Sequence, residues 1–98
     1  MLLHTVSRSP AHSALRDCLA VLGPDDAILL LGDGVYAAIA GGEGAALLAG
    51  SGATLFVLEA DAALAGVQER LLLPGATVVD DDGFVALTER YGRQLAWY

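Results

Sequence analysis

The pattern of apolar residues is densest near the middle of the chain. Four consecutive aliphatic residues, Ile28–Leu31, are followed at once by Gly32-Asp33-Gly34 and then by an alanine-rich apolar run. An apolar run without polar alternation is typical of a strand buried on both faces. Because glycine adopts a positive φ without steric cost and aspartate can bond its own backbone, Gly-Asp-Gly predicts a sharp turn. The pattern therefore predicts a strand, a turn and a helix over 35–40, which together open a βα unit.

Four other short segments have the composition of strands. We predict strands over residues 2–6, 54–58 and 76–79, and a short fifth strand over 94–98. Ser9 and Pro10 have the residue types of an N-cap and a first helical position, so they predict the start of the first helix. The buried face of this helix is predicted from residues at helical spacing, Leu15, Cys18, Leu19 and Leu22.

Glycines and aspartates set the expected bounds of the later helices. Gly41-Gly42 and Gly44 should divide the second helical region into two short pieces. We expect Asp61 to cap a short helix over 62–66, and Asp81 or Asp82 to cap the last helix. In that last helix Phe84, Leu87 and Tyr91 fall on one face.

The alternation of strands and helices predicts the fold class. Strands separated by helices form parallel sheets that are covered on both faces. With 98 residues the chain has room for one domain, spanning 1–98. We predict an α/β fold, a single three-layer α/β/α domain with a mainly parallel sheet of about five strands.

Composition limits the classes of partner. Apolar residues make up 55% of the chain, which in so small a domain predicts a subunit interface. The net charge is −7 and there is no lysine, so we expect no direct nucleic-acid or membrane binding and a basic protein partner instead. No apolar run reaches the ~20 residues of a membrane span, and the start lacks a signal-peptide pattern. We therefore expect a cytoplasmic protein, in agreement with a single cysteine.

Two patterns could hold a ligand, and both have a simpler explanation. Gly32-x-Gly34-x-x-Ala37 matches a dinucleotide-binding turn, with Glu59 at the end of the next strand as the acidic ribose partner. Asp33 would, however, meet the pyrophosphate, so a plain tight turn is the favoured interpretation. Asp80-Asp81-Asp82 with Asp33 could form an acidic metal pocket, but a solvated turn and a helix cap explain them more simply. We expect no metal and no cofactor.

Cys18 is the principal nucleophile candidate. It lies on the apolar face of the first helix, where free cysteines are usually buried and structural, and the adjacent Asp17 would raise the pKa of its thiol. His4 and His12 are too far apart in sequence to indicate a metal set, and a lone histidine is usually structural. Trp97 and Tyr98 are expected to pack at an edge or an interface.

Three stretches together resemble a known family. Leu3-His4-Thr5 followed by Ser9-Pro10 resembles the start of the DsrH/TusB family of sulfur-relay subunits. Asp33-Gly34-Val35 with Ala37-Ala38 is similar to its central motif, and Gln94-Leu95-Ala96-Trp97 to its C-terminal signature. The resemblance covers essentially the full length, in the same order and spacing.

The resemblance implies a compact DsrE-like α/β/α domain and a subunit role. It implies assembly with two homologous subunits, DsrE/TusD-like and DsrF/TusC-like, into a heterohexamer that passes persulfide sulfur to a small DsrC/TusE-like carrier protein. The sulfur then serves 2-thiolation of the tRNA wobble uridine in the TusB-like branch, or dissimilatory sulfur oxidation in the DsrH-like branch.

The resemblance also changes the interpretation of Cys18. The principal catalytic cysteine would lie on a partner, which makes this chain a mainly structural, non-catalytic or accessory subunit. Subunits of the sulfur-oxidation branch resemble this chain in having a cysteine near the end of the first helix. Cys18 therefore becomes a candidate accessory persulfide carrier and modestly favours the DsrH-like branch, without deciding between the two. The small nucleotide-binding module remains the alternative function.

Overall fold

A five-stranded parallel sheet forms the centre of the molecule. The computed structural model describes all of residues 1–98, and it contains the strands β1 (Leu3–Val6), β2 (Ala27–Leu30), β3 (Thr54–Leu58), β4 (Ala76–Val79) and β5 (Gln94–Trp97). Their order across the sheet is β4-β3-β2-β1-β5, and every neighbouring pair is parallel. The predicted α/β class with a parallel five-stranded sheet is confirmed.

Helices cover both faces of this sheet, as predicted. The α-helices are α1 (Ala14–Ala20), α2 (Glu43–Ala49), α3 (Glu59–Leu64) and α4 (Asp81–Arg90), and two 3₁₀-helices span Gly32–Ala38 and Glu69–Leu71. The steps from β1 to β4 all run in one direction along the sheet, whereas the step from β4 to β5 runs back across it. Because parallel crossovers are right-handed, the first three connections lie on one face and α4 lies on the other.

Each face has its own apolar core. The core of the first face contains strand residues such as Ile28 and Leu30 together with Leu15, Cys18 and Leu48 of the helices. The smaller core of the second face joins the strands to α4, and its buried members are Leu3, Ala27, Leu29, Phe56, Leu58, Leu87 and Tyr91. Residues of β2 alternate between the two cores, which explains why this strand is apolar at every position.

The predicted start of the first helix is wrong. Ser9 and Pro10 lie in a turn, closed by a hydrogen bond from the His12 amide to the Ser9 carbonyl, and α1 begins only at Ala14. The Ser9 hydroxyl accepts from the Ala11 amide at 3.3 Å, so it caps this turn and not the helix. In this turn Pro10 packs against Gly44 of α2. The two residues are so close that a Cβ built on Gly44 would lie 3.0 Å from the Pro10 Cβ.

The glycines of the central region act differently from the prediction. Gly32-Asp33-Gly34 is the first part of a 3₁₀-helix and not a separate turn before a helix. The division after it into two short helices is confirmed, but Gly44 lies inside α2. A Cβ at Gly44 would come within 2.8 Å of Ala37, so this glycine permits close packing of the two helices and does not interrupt one.

Two predicted caps are also wrong. Helix α3 begins at Glu59, and the Asp61 carboxylate accepts a hydrogen bond from the Gly32 amide at 2.7 Å instead of capping its own helix. The N-cap of α4 is Asp80, whose side chain accepts from the Gly83 amide at 2.8 Å. The predicted apolar face of α4, with Phe84, Leu87 and Tyr91, is confirmed. None of the helices is both long and apolar enough to cross a membrane.

Candidate functional site

A chain of three hydrogen-bonded side chains, two of them buried and the third partly buried, joins the two ends of the sequence. His4 of β1 is fully buried, and its Nε2 lies 2.8 Å from Oδ2 of Asp26, the residue immediately before β2. The indole Nε1–H of Trp97, the last residue of β5, donates to His4 Nδ1 at 3.0 Å. The parallel pairing of β1 with both β2 and β5 brings the three side chains together.

The hydrogen-bond partners define the tautomer of His4. An indole N–H can only donate, so His4 Nδ1 must carry a lone pair. The ring proton therefore resides on Nε2, where it is donated to the Asp26 carboxylate. Both ring nitrogens are occupied, and His4 is neutral in this arrangement.

Asp26 accepts three hydrogen bonds and is almost completely buried. Besides His4, the amide of Gly23 donates to Oδ2 and the amide of Leu2 donates to Oδ1, each at 2.9 Å. The bonds from His4 and then Gly23, assisted by Leu2, lower the pKa of Asp26 from 3.8 to about 2, against the opposing effect of burial. Asp26 is consequently a buried anion with every donor around it directed at its oxygens.

Cys18 lies in the core of the first face and is fully buried. Burial, and secondly the negative charge of Asp26, raise the pKa of its thiol from 9.0 to about 11. A thiol with so high a pKa is almost entirely protonated at neutral pH and is a poor nucleophile. The carboxylate that raises the pKa of this thiol is Asp26 and not the adjacent Asp17 expected from the sequence.

Cys18, His4 and Asp26 do not form a nucleophile–base–acid triad. Such a triad needs a histidine nitrogen free to take the proton of the nucleophile. In this structure Trp97 and Asp26 occupy both nitrogens of His4. The cluster is therefore organised to hold structure and not to activate the thiol.

The predicted nucleotide turn is not arranged to bind a pyrophosphate. A Cβ on Gly34 would lie 2.1 Å from the Val6 carbonyl oxygen, so this glycine packs directly on the end of β1. The Gly32 amide is already donated to Asp61, and Asp33 is exposed beside it. The carboxylates of Asp33 and Asp61 repel an anionic ligand at this position, and the Gly32 amide is not free to donate to one.

The acidic residues after the strands do not converge on one point. Asp80 caps α4, Asp61 bonds Gly32, and Asp81 and Asp82 are exposed in the first turn of α4. No group of three or more His, Cys, Asp or Glu side chains is placed to hold a metal ion.

Sequence reasoning missed Asp26 and the link between His4 and Trp97. The sequence does contain a signal for Asp26. This residue directly precedes a fully apolar strand, and a parallel neighbouring strand would place its own first residues beside Asp26. His4 and Trp97 were each interpreted singly, and only the strand order β2-β1-β5 brings them into contact.

The three stretches that carry the family resemblance meet in space. The N-terminal stretch forms β1, and the C-terminal stretch forms β5, which pairs with it. Gly34, in the central stretch, packs against Val6 at the end of β1. Residues far apart in sequence thus form one continuous region around β1.

Comparisons with known proteins bear out the family resemblance. The family model described as DsrH like protein matches residues 8–94. Protein TusB of Pectobacterium parmentieri is 40% identical over 96 residues, covering 98% of this chain and all of the relative. Protein TusB of Yersinia pestis (strain Pestoides F) is 43% identical with the same coverage.

Solved structures support the fold. The ychN protein from E. coli superimposes with a TM-score of 0.76 at 16% identity, covering 98% of this chain and 97% of that one. MTH1491 from Methanobacterium thermoautotrophicum, a protein of unknown function, gives 0.61 at 19% identity, with coverage of 97% and 96%. At these identities the likeness concerns the fold alone. The match to the family model and the full-length identity to the TusB relatives together show that this chain belongs to the DsrH/TusB family.

Proposed function

We propose that this chain is the mainly structural subunit of a heterohexameric sulfur-relay complex, assembled with DsrE/TusD-like and DsrF/TusC-like partners. The observation that carries the proposal is the identity of 40–43% over the full length to proteins named TusB. The same relatives favour the TusB-like branch, in which sulfur passes through a small TusE-like carrier towards tRNA wobble-uridine 2-thiolation, over the sulfur-oxidation branch. A cytoplasmic location stays a prediction.

The surface supports a role in assembly. Several large apolar side chains are exposed, with Leu64 at 87%, Tyr98 at 81%, Val21 at 58% and Val85 at 55%. Apolar side chains exposed in this way are available to contact a partner subunit. The net charge of −7 with no lysine further favours partners that present basic residues.

The accessory persulfide role of Cys18 remains a separate proposal with a structural requirement. A persulfide forms on an accessible thiolate, whereas the Cys18 thiol is fully buried and its pKa is raised to about 11. Sulfur could reach Cys18 only if α1 moved away from the sheet. A chain with a mainly structural role needs no such movement, and we favour that role for Cys18.

Co-expression with the two homologous subunits tests the proposal. Native mass spectrometry of the purified complex should show two copies of each chain, and this chain expressed alone should not give the same assembly. After treatment with a persulfide donor, the added mass of about 32 Da per sulfur should be found on a partner subunit. The same mass on this chain, lost in Cys18→Ser, would instead make Cys18 a carrier. Failure of the three chains to associate would contradict the proposed function.

A further inference from the structure

We propose that Trp97, His4 and Asp26 form a proton-sensitive latch: it holds β5 at the edge of the sheet, and uptake of a proton by His4 releases that strand. The inference rests on the geometry of the three side chains and does not depend on the proposed function. It assigns a conformational role to a buried histidine.

Strand β5 depends on few attachments. It lies at one edge of the sheet and pairs only with β1. Gln94, Leu95 and Ala96 are exposed, whereas Trp97 is partly buried and is the best covered residue of the strand. That indole packs against the core of the first face and makes the single side-chain hydrogen bond that β5 donates, to His4 Nδ1. Apart from the backbone pairing, the indole is the principal anchor of the strand.

Protonation of His4 affects its two hydrogen bonds in opposite ways. A doubly protonated imidazole carries N–H groups on both nitrogens. The bond from Nε2 to the Asp26 carboxylate, in which only the acceptor was charged, then joins two charged groups and is strengthened. At Nδ1, however, a new N–H points at the indole N–H of Trp97, and two donors cannot bond each other. Protonated His4 thus stays bonded to Asp26 but loses its hydrogen bond to Trp97.

The groups around His4 direct this effect to β5. The loop before β2 supplies Asp26, and the N-terminal amine lies 4.0 Å from the Oδ1 atom of Asp26. Helix α1 supplies Cys18, whose raised pKa keeps the thiol neutral. Strand β5 itself contains no charged residue, and Arg93 before it is exposed. The single anion bonded to His4 is Asp26, which contacts Nε2, whereas Trp97 contacts Nδ1, so a proton added to His4 disrupts the bond to β5 and not the bond to Asp26.

Nuclear magnetic resonance can follow the latch directly. Trp97 is the only tryptophan, so the full chain gives one indole N–H signal. His12, the other histidine, is exposed and lies outside the network. Between about pH 8 and about pH 5, the range in which histidines change charge, we measure hydrogen exchange of this indole and of the backbone amides.

The proposal predicts exchange that is confined to one strand. The fraction of molecules in which β5 is open follows from its amide exchange rates after correction for intrinsic exchange. Once His4 takes up a proton, this fraction should rise by up to about tenfold for each unit by which the pH falls, because one proton is linked to the opening. The indole of Trp97 should follow the β5 amides, while amides of β2 and β3 keep their protection. Constant protection of β5 across this range, or equal loss in all strands, would overturn the proposal.

Two variants separate the latch from a general effect of acid. In His4→Gln the side-chain amide can donate to Asp26 and accept from Trp97 but cannot titrate, so β5 opening should not depend on pH. Should this variant fail to fold, Trp97→Phe keeps the histidine and the ring packing but removes the indole donor. Its β5 should be more open at pH 8 and no longer respond to acid. The wild-type pH dependence in either variant would refute the latch.

Discussion

Replacing Asp26 with asparagine removes the charge at the centre of the buried network while keeping the shape of the side chain. The carboxylate accepts from His4, Gly23 and Leu2 with its two oxygens. Asparagine has one acceptor oxygen and one NH₂ group, so whichever way it is oriented at least one of the three donors faces another donor. Asp26→Asn therefore combines the loss of a buried charge interaction with an unsatisfied buried group.

The size of the effect follows from the pKa of Asp26. Its fall from 3.8 to about 2 means that folding favours the carboxylate over the protonated acid by about 2 kcal/mol, at 1.36 kcal/mol per pKa unit. A buried donor left without a partner costs a further ~1–3 kcal/mol. Because the folded-state pKa is depressed, the first contribution is present above about pH 4 and is lost as the pH falls towards 2. We expect Asp26→Asn to lower the free energy of unfolding by about 3 kcal/mol at pH 7.

Urea unfolding as a function of pH measures both the contribution of the Asp26 charge and the cost of the unsatisfied donor. The difference in unfolding free energy between wild type and Asp26→Asn should be largest at neutral pH and should shrink by about 2 kcal/mol on acidification to about pH 2. Asp25→Asn is the matched control, since Asp25 is adjacent and exposed, and its effect should stay within about 0.5 kcal/mol. A difference that does not change with pH, or equal effects of the two variants, would refute the description of Asp26 as a buried anion.

Two further predictions concern packing and reactivity. Gly34→Ala should lower the free energy of unfolding by about 3 kcal/mol or prevent folding, because its Cβ would lie 2.1 Å from the Val6 carbonyl oxygen and backbone must move. Gly92→Ala, where a Cβ meets nothing within 4 Å, is the control in the same urea assay and should be neutral within about 1 kcal/mol; equal losses would contradict the close packing. For Cys18, a pKa of about 11 and full burial predict that the folded protein reacts with a disulfide reagent at pH 8 at least about 100-fold more slowly than a free cysteine, and that urea restores the reaction. Fast labelling without urea would show that the thiol is accessible.

Much of the fold could be predicted from the sequence because its strands carry strong local signals. The unbroken apolar run of β2 and the β-formers of β3 and β4 gave their positions, and the alternation with helices gave the parallel sheet. The helix starts were less predictable, since tertiary contacts decided them. Pro10 has the residue type of a first helical position, but packing against Gly44 holds it in a turn. Asp61 is a suitable cap for its own helix, yet it bonds Gly32 instead.

The buried network could not be predicted from residue patterns in the same way. His4 and Trp97 are 93 positions apart, and their contact depends on β5 returning beside β1 after the crossover through α4. Reading the chain in order treats each as an isolated residue. For Cys18 the sequence did predict the apolar helix face, but not the proximity of Asp26, whose charge adds to the effect of burial on the thiol.

We propose that sulfur relay needs this chain but not its thiol, and the rate of sulfur transfer distinguishes the two requirements. The measurement compares transfer from the persulfide-loaded complex to the small carrier protein for wild type, for Cys18→Ala and for the two partner subunits without this chain. We expect equal rates for wild type and Cys18→Ala, and a loss of transfer when this chain is absent. Undiminished transfer by the partners alone would contradict this proposal, and so would loss of transfer in a correctly assembled Cys18→Ala complex.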